Sequence, residues 1–334
     1  MKAVVLGAFG GPENFHDAEL PLPALRDGDV RIKVAAASFN PVDCQIRRGG
    51  AESRSASSMI LGRDLSGVIE ATSGGVGEFK VGDEVFSYVC KLASSGTYAE
   101  YVSVPVELVA RKPASLSHAE AAAVPVAGIT ATMALEKLRL DNDTSIFIAG
   151  GAGGVGTFAT MLARLRGARR LYATAGSQAS RDYLIGKCGL REDQVIDYRQ
   201  AGFGEEAVRR NGGGFHAVLD LVGGVMLARC CELLGTNGHL ASVTEAPNAD
   251  SFELLFARNA SFHPIGANAY SLSGDRGAWS AYRTMLDQLA RGFDDGTLAP
   301  PQVDVVGPLS ADSVRRGHAL LEAGGVQGKV VMAW

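Results

Sequence analysis

Apolar residues recur along this chain with two different periods, and the change from one to the other marks its organisation. In the first third, Val30, Ile32 and Val34 alternate with Arg31 and Lys33, the two-residue period of a half-buried strand. Residues 98–104 form a second strand candidate, and Gly82-Asp83 marks a turn before a third over 84–89. From Ser117 to Leu138 the chain is alanine-rich and reads as helical. Strand and helix then alternate: strand 144–149, helix from 154, strand 171–175, helix near 179–187, strands at 195–196 and 217–219, helix from 225, strand 240–243. A helix at 279–289, a strand at 303–306, a helix at 311–322 and a strand at 329–332 close the sequence. The first pattern predicts a small β-barrel, and the second a doubly wound parallel sheet, so the fold class is α/β.

The first strand of the alternating region runs into Gly150-Gly151-Ala152-Gly153-Gly154-Val155-Gly156. Gly151, Gly153 and Gly156 fit G-x-G-x-x-G, and Val155, Phe158, Ala159 and Leu162 give the next helix one apolar face. Such glycines permit a tight turn and let the backbone approach a pyrophosphate, while the helix N-terminus offers free N–H groups and partial positive charge. The stretch reads as a dinucleotide-binding turn.

The second strand selects between dinucleotides. An NAD site places a carboxylate at its end to bond the ribose 2′-hydroxyl. Here the strand ends at Ala175 and continues Gly176-Ser177-Gln178-Ala179-Ser180-Arg181. Hydroxyls and a guanidinium stand where a carboxylate would repel a phosphate, which favours NADPH, with Arg181 and Ser177 as contacts of the 2′-phosphate.

Length and composition narrow the class. A chain of 334 residues, 46% hydrophobic and 20% charged, predicts a globular protein of two domains. A formal net charge of -4, with no basic run or aromatic-interleaved patch read, argues against a nucleic-acid binder. No 18-residue apolar span or signal-peptide arrangement is read, so the expectation is a cytoplasmic protein that does not enter a membrane. Five cysteines without C-x-x-C spacing read as reduced thiols.

Several segments carry a resemblance when taken together: Ser38-Phe39-Asn40-Pro41-Val42-Asp43, Leu61-Gly62-Arg63-Asp64-Leu65-Ser66-Gly67-Val68, Phe79-Lys80-Val81-Gly82-Asp83-Glu84-Val85, Gly96-Thr97-Tyr98-Ala99-Glu100-Tyr101, Gly128-Ile129-Thr130-Ala131, the glycine turn, Val195-Ile196-Asp197-Tyr198-Arg199 and Gly328-Lys329-Val330-Val331. In this order they resemble the medium-chain dehydrogenase/reductase superfamily, and within it the zinc-free, zeta-crystallin-like NADPH:quinone reductase branch. The resemblance implies a GroES-like β-barrel catalytic domain over 1–125 and 269–334. It also implies a Rossmann NADPH-binding domain over 126–268, with substrate and nicotinamide meeting in the cleft between the two.

The same resemblance assigns residues. Asn40 and Thr130 would lie near the nicotinamide, and Gly153, Gly154 and Val155, within the turn from Gly151 to Gly156, would hold the pyrophosphate. Ser177, Arg181 and Tyr198 would surround the adenosine phosphate, and Val222 and Thr244 would touch ribose and nicotinamide. Lys329 stands beside a C-terminal cofactor contact, and it reads equally as a solvated lysine before an edge strand. Zinc-dependent relatives carry cysteine at the position of Asn40 and histidine at that of Arg63, so no zinc is expected. The Arg63-Asp64 pair reads as structural, and His16, His118, His216, His239, His263 and His318 are scattered without a ligand constellation.

Without a Lewis acid, a conjugated acceptor suits hydride transfer best, because it spreads the developing charge onto oxygen. The expected activity is therefore NADPH-dependent reduction of a quinone, with an enone or enoyl thioester as the alternative. Asn40 and Gln45 are the candidates for positioning substrate or nicotinamide. Gln45 stands where the branch often carries tyrosine, and the residues after it, 49–58, hold few aromatics to stack on a flat ring. A low-turnover, cofactor-binding structural or RNA-interacting protein is a further alternative the resemblance leaves open. A homodimer is expected, paired through Phe252-Glu253-Leu254-Leu255-Phe256 and Ala260-Ser261-Phe262-His263-Pro264-Ile265, where the family adds its last Rossmann strand.

Overall fold

The computed structural model describes residues 1–50, 53 and 58–334, so most of the glycine-, serine- and alanine-rich stretch after Gln45 lies outside the described residues. The chain divides into two compact units, one formed by Met1–Val126 with Asn268–Trp334 and the other by Ala127–Ala267.

The first unit begins with the antiparallel pair β1 (Lys2–Leu6) and β2 (Phe15–Glu19), then β3 (Asp29–Ser38), helix α1 (Pro41–Arg48), β4 (Asp64–Thr72), β5 (Glu84–Tyr88), β6 (Tyr101–Pro105), β7 (Val109–Arg111) and helix α2 (His118–Ala122). Strand β3 pairs antiparallel with both β4 and β6, and its predicted alternation is real: Val30, Ile32 and Val34 are buried while Lys33 is exposed. The strand expected over 98–104 starts later, at Tyr101; Ala99 instead makes a lone bridge to Ala3. The helix expected from Ser117 to Leu138 is two helices. Ser117 caps α2 by accepting from Glu120 N, and Pro125 opens α3 (Pro125–Lys137), because proline suits a first turn and disrupts a helix interior.

The second unit is a six-stranded parallel sheet. Its strands are β8 (Ser145–Ala149), β9 (Arg170–Ala175), β10 (Val195–Asp197), β11 (Phe215–Asp220), β12 (Leu234–Ser242) and β13 (Ser261–Pro264), in spatial order β10-β9-β8-β11-β12-β13. The connecting helices are α4 (Gly154–Leu165), α5 (Gln178–Gly186), α6 (Phe203–Asn211), α7 (Val225–Leu233) and α8 (Ala249–Ala257). Every residue of β8 is buried, the signature of a central parallel strand covered on both faces. Phe147, Tyr172, Phe215 and Leu240 meet in its core, with Phe147 and Phe215 centroids 5.4 Å apart. Truncating a buried phenylalanine such as Phe215 costs about 3–5 kcal/mol. The segment 252–256 belongs to helix α8 and not to a strand; Phe252 and Phe256, spaced i, i+4, share an exposed face.

The chain returns to the first unit with α9 (Arg276–Asp294), β14 (Val303–Val305), α10 (Ala311–Ala323) and β15 (Lys329–Ala333). Strand β15 pairs parallel with β14 and antiparallel with β3, completing the mixed sheet. Among the described residues no helix is long and apolar enough to cross a membrane.

Candidate active site

The parallel sheet reverses its winding direction between β8 and β11, and at such a switch point the carboxyl ends of the strands leave a ligand crevice. Leu221 N donates to Ala149 O at 3.3 Å across this point, and Gly150 N donates to Thr174 Oγ1 at 2.9 Å, so the ends of β8, β9 and β11 are tied together. The glycine turn follows. Gly153 is the N-cap of α4 and supplies no side-chain cap, which leaves the first N–H groups of that helix available to an anion. A Cβ on Gly156 would overlap the Gly150 carbonyl, so only glycine lets α4 lie this close to the turn.

Beside the turn, the end of β9 carries the residues expected at an adenosine phosphate. Ser177 caps α5 by accepting from Ser180 N at 3.1 Å. Arg181 lies in the first turn of that helix, and its one ion-pair contact among the described residues, Glu192, is 4.0 Å away and exposed, too loose to hold the guanidinium. Tyr198 is 42% exposed and lies against Gly176, where a Cβ would overlap the phenol ring. One carboxylate was missed by following strand β9 alone: the parallel register sets Asp197 beside Ala175. Its Oδ1 accepts from Arg199 N at 3.0 Å.

Val222 and Thr244 follow β11 and β12 at the same end of the sheet. Val222 is 53% exposed. The Thr244 hydroxyl donates to Asp220 Oδ2 at 3.1 Å, and Asp220 also accepts from Ser242 Oγ at 2.9 Å and from the N–H groups of Val222 and Gly223. Asp220 is a buried organising centre that pattern reading passed over, because nothing at strand spacing distinguishes it from an ordinary strand-end acid. Thr130 is buried in α3. Thus Gly151, Gly153, Gly154, Val155, Gly156, Ser177, Arg181, Tyr198, Val222 and Thr244 all follow carboxyl ends of the one parallel sheet.

Asn40 and Lys329 come together in the first unit. Lys329 Nζ donates to Asn40 Oδ1 at 2.5 Å, to Phe39 O at 3.1 Å and to Asp64 Oδ2 at 3.3 Å. Asn40 Nδ2 and Ser38 Oγ donate to the same Asp64 oxygen at 2.8 and 2.7 Å, and Val126 N donates to Asp64 Oδ1 at 2.7 Å. Lys329 is therefore a buried ion-pair partner and not a solvated lysine. The structural partner of Asp64 is Lys329, 265 residues away, whereas Arg63 Nη1 donates to Asn268 Oδ1 at 3.3 Å. Asn40 also begins α1, its N–H donating to Asp43 Oδ2 at 2.8 Å. Burial pushes the Asp43 carboxyl up to about 6 against the opposing pull of Arg63. Gln45 is exposed on α1.

The histidines are dispersed. His318 meets Cys44 and Tyr98, His118 meets Ser66 and Glu84, His216 meets Ser145, and His239 stacks on His263. Among the described residues no group of three or more His, Cys, Asp or Glu side chains is arranged to hold a metal ion.

Comparison with known proteins agrees with this geometry. Residues 26–114 match the family model of the alcohol dehydrogenase GroES-like domain, and residues 190–332 match that of the zinc-binding dehydrogenases. The chain is 31% identical to a 2-methylene-furan-3-one reductase of Solanum lycopersicum over 95% of its own length and 74% of that protein. It is 28% identical to a quinone oxidoreductase of Sus scrofa over 99% and 97% of the two chains. A mycobacterial protein solved in complex with NADPH superposes with a TM-score of 0.85 at 26% identity, covering 100% of both chains. The chain therefore belongs to the medium-chain dehydrogenase/reductase superfamily, in its quinone reductase branch, and is an oxidoreductase built from a GroES-like domain and a Rossmann domain.

Proposed function

We propose that this enzyme is a zinc-independent, NADPH-specific reductase of conjugated carbonyl compounds, quinones first. The observation that carries the cofactor choice is the end of β9, where Ser177, the loosely held Arg181 and exposed Tyr198 gather with no carboxylate on the strand itself. An uncapped α4 N-terminus fits a pyrophosphate, and Arg181 fits a 2′-phosphate through a bidentate contact. When bound, NADPH supplies the hydride.

The chain's own residues bind and orient. The N–H groups of the turn from Gly151 to Gly156 hold the pyrophosphate, and Thr130, Val222 and Thr244 are proposed contacts of ribose and nicotinamide. Lys329 donates to Asn40 Oδ1 and so fixes that amide with Nδ2 as the donor. One Nδ2 hydrogen serves Asp64, and the other is proposed to serve the nicotinamide amide or the acceptor oxygen, where developing negative charge needs a donor. Gln45 is proposed as a substrate contact.

A second substrate class has its own support: the relative at 31% identity is named for a methylene-furanone, an enone. Zinc independence is supported by Asn40 and Arg63 at the positions of the family's metal ligands. Elemental analysis should find no stoichiometric zinc, and one tightly held zinc whose removal abolishes turnover would refute this. We also propose a cytoplasmic homodimer paired through β13, the outer strand of the parallel sheet; a monomer in sedimentation at micromolar concentration would refute the pairing.

Steady-state kinetics test the central reading. NADPH should exceed NADH by at least about tenfold in kcat/KM, about 1.4 kcal/mol. Arg181→Ala should erode that ratio by weakening NADPH alone. Equal use of both cofactors, or equal loss of both in the variant, would refute the assignment. A parallel panel of quinones and enones decides the substrate class.

A further inference from the structure

The parallel sheet has a second feature at its opposite edge. Four of the seven residues 164–170 are arginine, a basic run that the chain's overall acidic balance masks and the sequence reading passed over. Arg164 and Arg169 from this run meet Arg191 around a cavity of about 520 Å3, which Asn142 and Gln194 also line. Every one of these residues precedes a strand: Asn142 comes before β8, Arg164 and Arg169 before β9, and Arg191 and Gln194 before β10. The glycine turn, Ser177 and Tyr198 follow those same strands. The six residues of β9 separate the two ends by about 17 Å, so the cavity is distinct from the dinucleotide crevice.

The lining is rich in donors and includes no carboxylate. Arg169 is exposed and makes no hydrogen bond or ion pair among the described residues. Arg164 Nη1 donates to Cys188 O at 2.6 Å, which anchors the guanidinium while leaving its other donors available. Arg191 Nε and Nη2 donate to the two carboxylate oxygens of Asp193 at 3.0 and 3.2 Å, and because both side chains are exposed an anion in the cavity can compete for that guanidinium. Gln194 is 6% exposed; its Oε1 accepts from Arg191 N at 2.9 Å, and its Nε2 has no hydrogen-bond partner among the described residues. An amide donor that no protein group uses, beside three guanidinium groups in a cavity of small-molecule size, suits an acceptor-rich anion.

We propose that this cavity binds a compact phosphorylated small molecule, with Arg164, Arg169 and Arg191 holding its phosphoryl oxygens and Gln194 Nε2 donating the inner hydrogen bond. Inorganic pyrophosphate is the probe, titrated calorimetrically into the protein with and without saturating NADPH. Saturable binding should persist with NADPH present and weaken as salt rises. It should fall at least about tenfold in Arg169→Ala/Arg191→Ala, whose thermal stability should match the parent because both side chains are exposed. ATP in place of pyrophosphate tells a free phosphate from a nucleotide as the natural source. Three outcomes overturn the proposal: no saturable binding, binding that NADPH abolishes and the double variant retains, or binding of single-stranded RNA through the same arginines without binding of pyrophosphate.

Discussion

Two buried polar clusters lie near helix α1, and they solve the problem of burial in opposite ways. In the cluster of Ser38, Asn40, Asp64 and Lys329, an ion pair is saturated with hydrogen bonds: Asp64 accepts four, and Lys329 spends its three donors on Phe39, Asn40 and Asp64. In the cluster of Cys44, Tyr98 and His318, the groups are kept neutral. His318 Nδ1 lies 3.4 Å from Cys44 Sγ and its Nε2 lies 3.3 Å from Tyr98 OH, with Phe15 and Phe39 packed against the ring. Burial lowers the His318 imidazole to about 3 and raises the Cys44 thiol to about 12. The contrast teaches where chemistry can be placed. A Cys-His contact resembles an activated nucleophile on paper, yet here the surroundings disfavour the thiolate-imidazolium form, while the saturated cluster presents an oriented amide beside a fixed charge.

The largest expected effect comes from breaking the charged cluster. Lys329→Met should cost about 3–5 kcal/mol in urea unfolding, because it strands the Asp64 carboxylate. Adding Asp64→Asn should restore part of that loss. If the single variant loses under about 1 kcal/mol, the charges are not mutually dependent and the comparison fails.

Acid titration separates the clusters next. The His318 pKa falls from 6.5 unfolded to about 3 folded, so its contribution is present above 6.5 and is lost as pH falls toward 3. Asp43 behaves oppositely: its pKa rises from 3.8 to about 6, so its contribution is present below 3.8 and is lost as pH rises through 6. Between pH 7 and 5 the two oppose each other, about 2 kcal/mol lost against about 1 gained. Relative to the parent protein, Asp43→Asn should lose stability over this interval and His318→Met should gain it. Parallel pH profiles for all three proteins would show that neither group titrates as described.

Much of the parallel sheet was legible in sequence, because five or six consecutive buried residues, a glycine turn and an amphipathic helix are local signals, and β8 with α4 carries all of them. The placement of the glycine turn, Ser177, Arg181, Tyr198, Val222 and Thr244 was legible for the same reason: each follows a strand of that sheet. The charged cluster was not. Asp64, Asn40 and Lys329 are brought together by β3 pairing with β4 and β15, a register no periodicity reveals, and so Lys329 read equally as solvated. The break at Pro125 was visible in the sequence, but alanine propensity on either side masked it.

A smaller effect tests how far saturation matters. Ser38→Ala removes one of the four donors to Asp64 and leaves the ion pair intact. The expected cost is about 1–2 kcal/mol, the range for one charge-assisted hydrogen bond whose acceptor keeps other partners. Unfolding midpoints in urea, compared with those of Lys329→Met, rank the donor against the charge. A Ser38→Ala loss as large as that of Lys329→Met would mean the cluster is held by its hydrogen bonds as a unit.

The smallest effect is expected at Cys44, and it is a test of dryness. A thiol with a pKa of about 12 is ionised at pH 8 to about one part in ten thousand, and only the thiolate attacks a disulfide reagent. His318 beside it does not help, since an imidazole held near 3 carries no charge at that pH. All five cysteines are buried, and the same burial raises Cys90, Cys188, Cys230 and Cys231. The native protein should therefore show no fast-reacting thiol toward an aromatic disulfide at pH 8, and all five should react once guanidinium unfolds it. Any slow native reaction should track global opening, so that destabilising the fold by Lys329→Met accelerates it without any change near the sulfur. Fast labelling of Cys44 in the native parent, lost in Cys44→Ala, would mean that water reaches the aromatic cluster. His318 would then be free to act as its base, and the two clusters would differ in degree and not in kind.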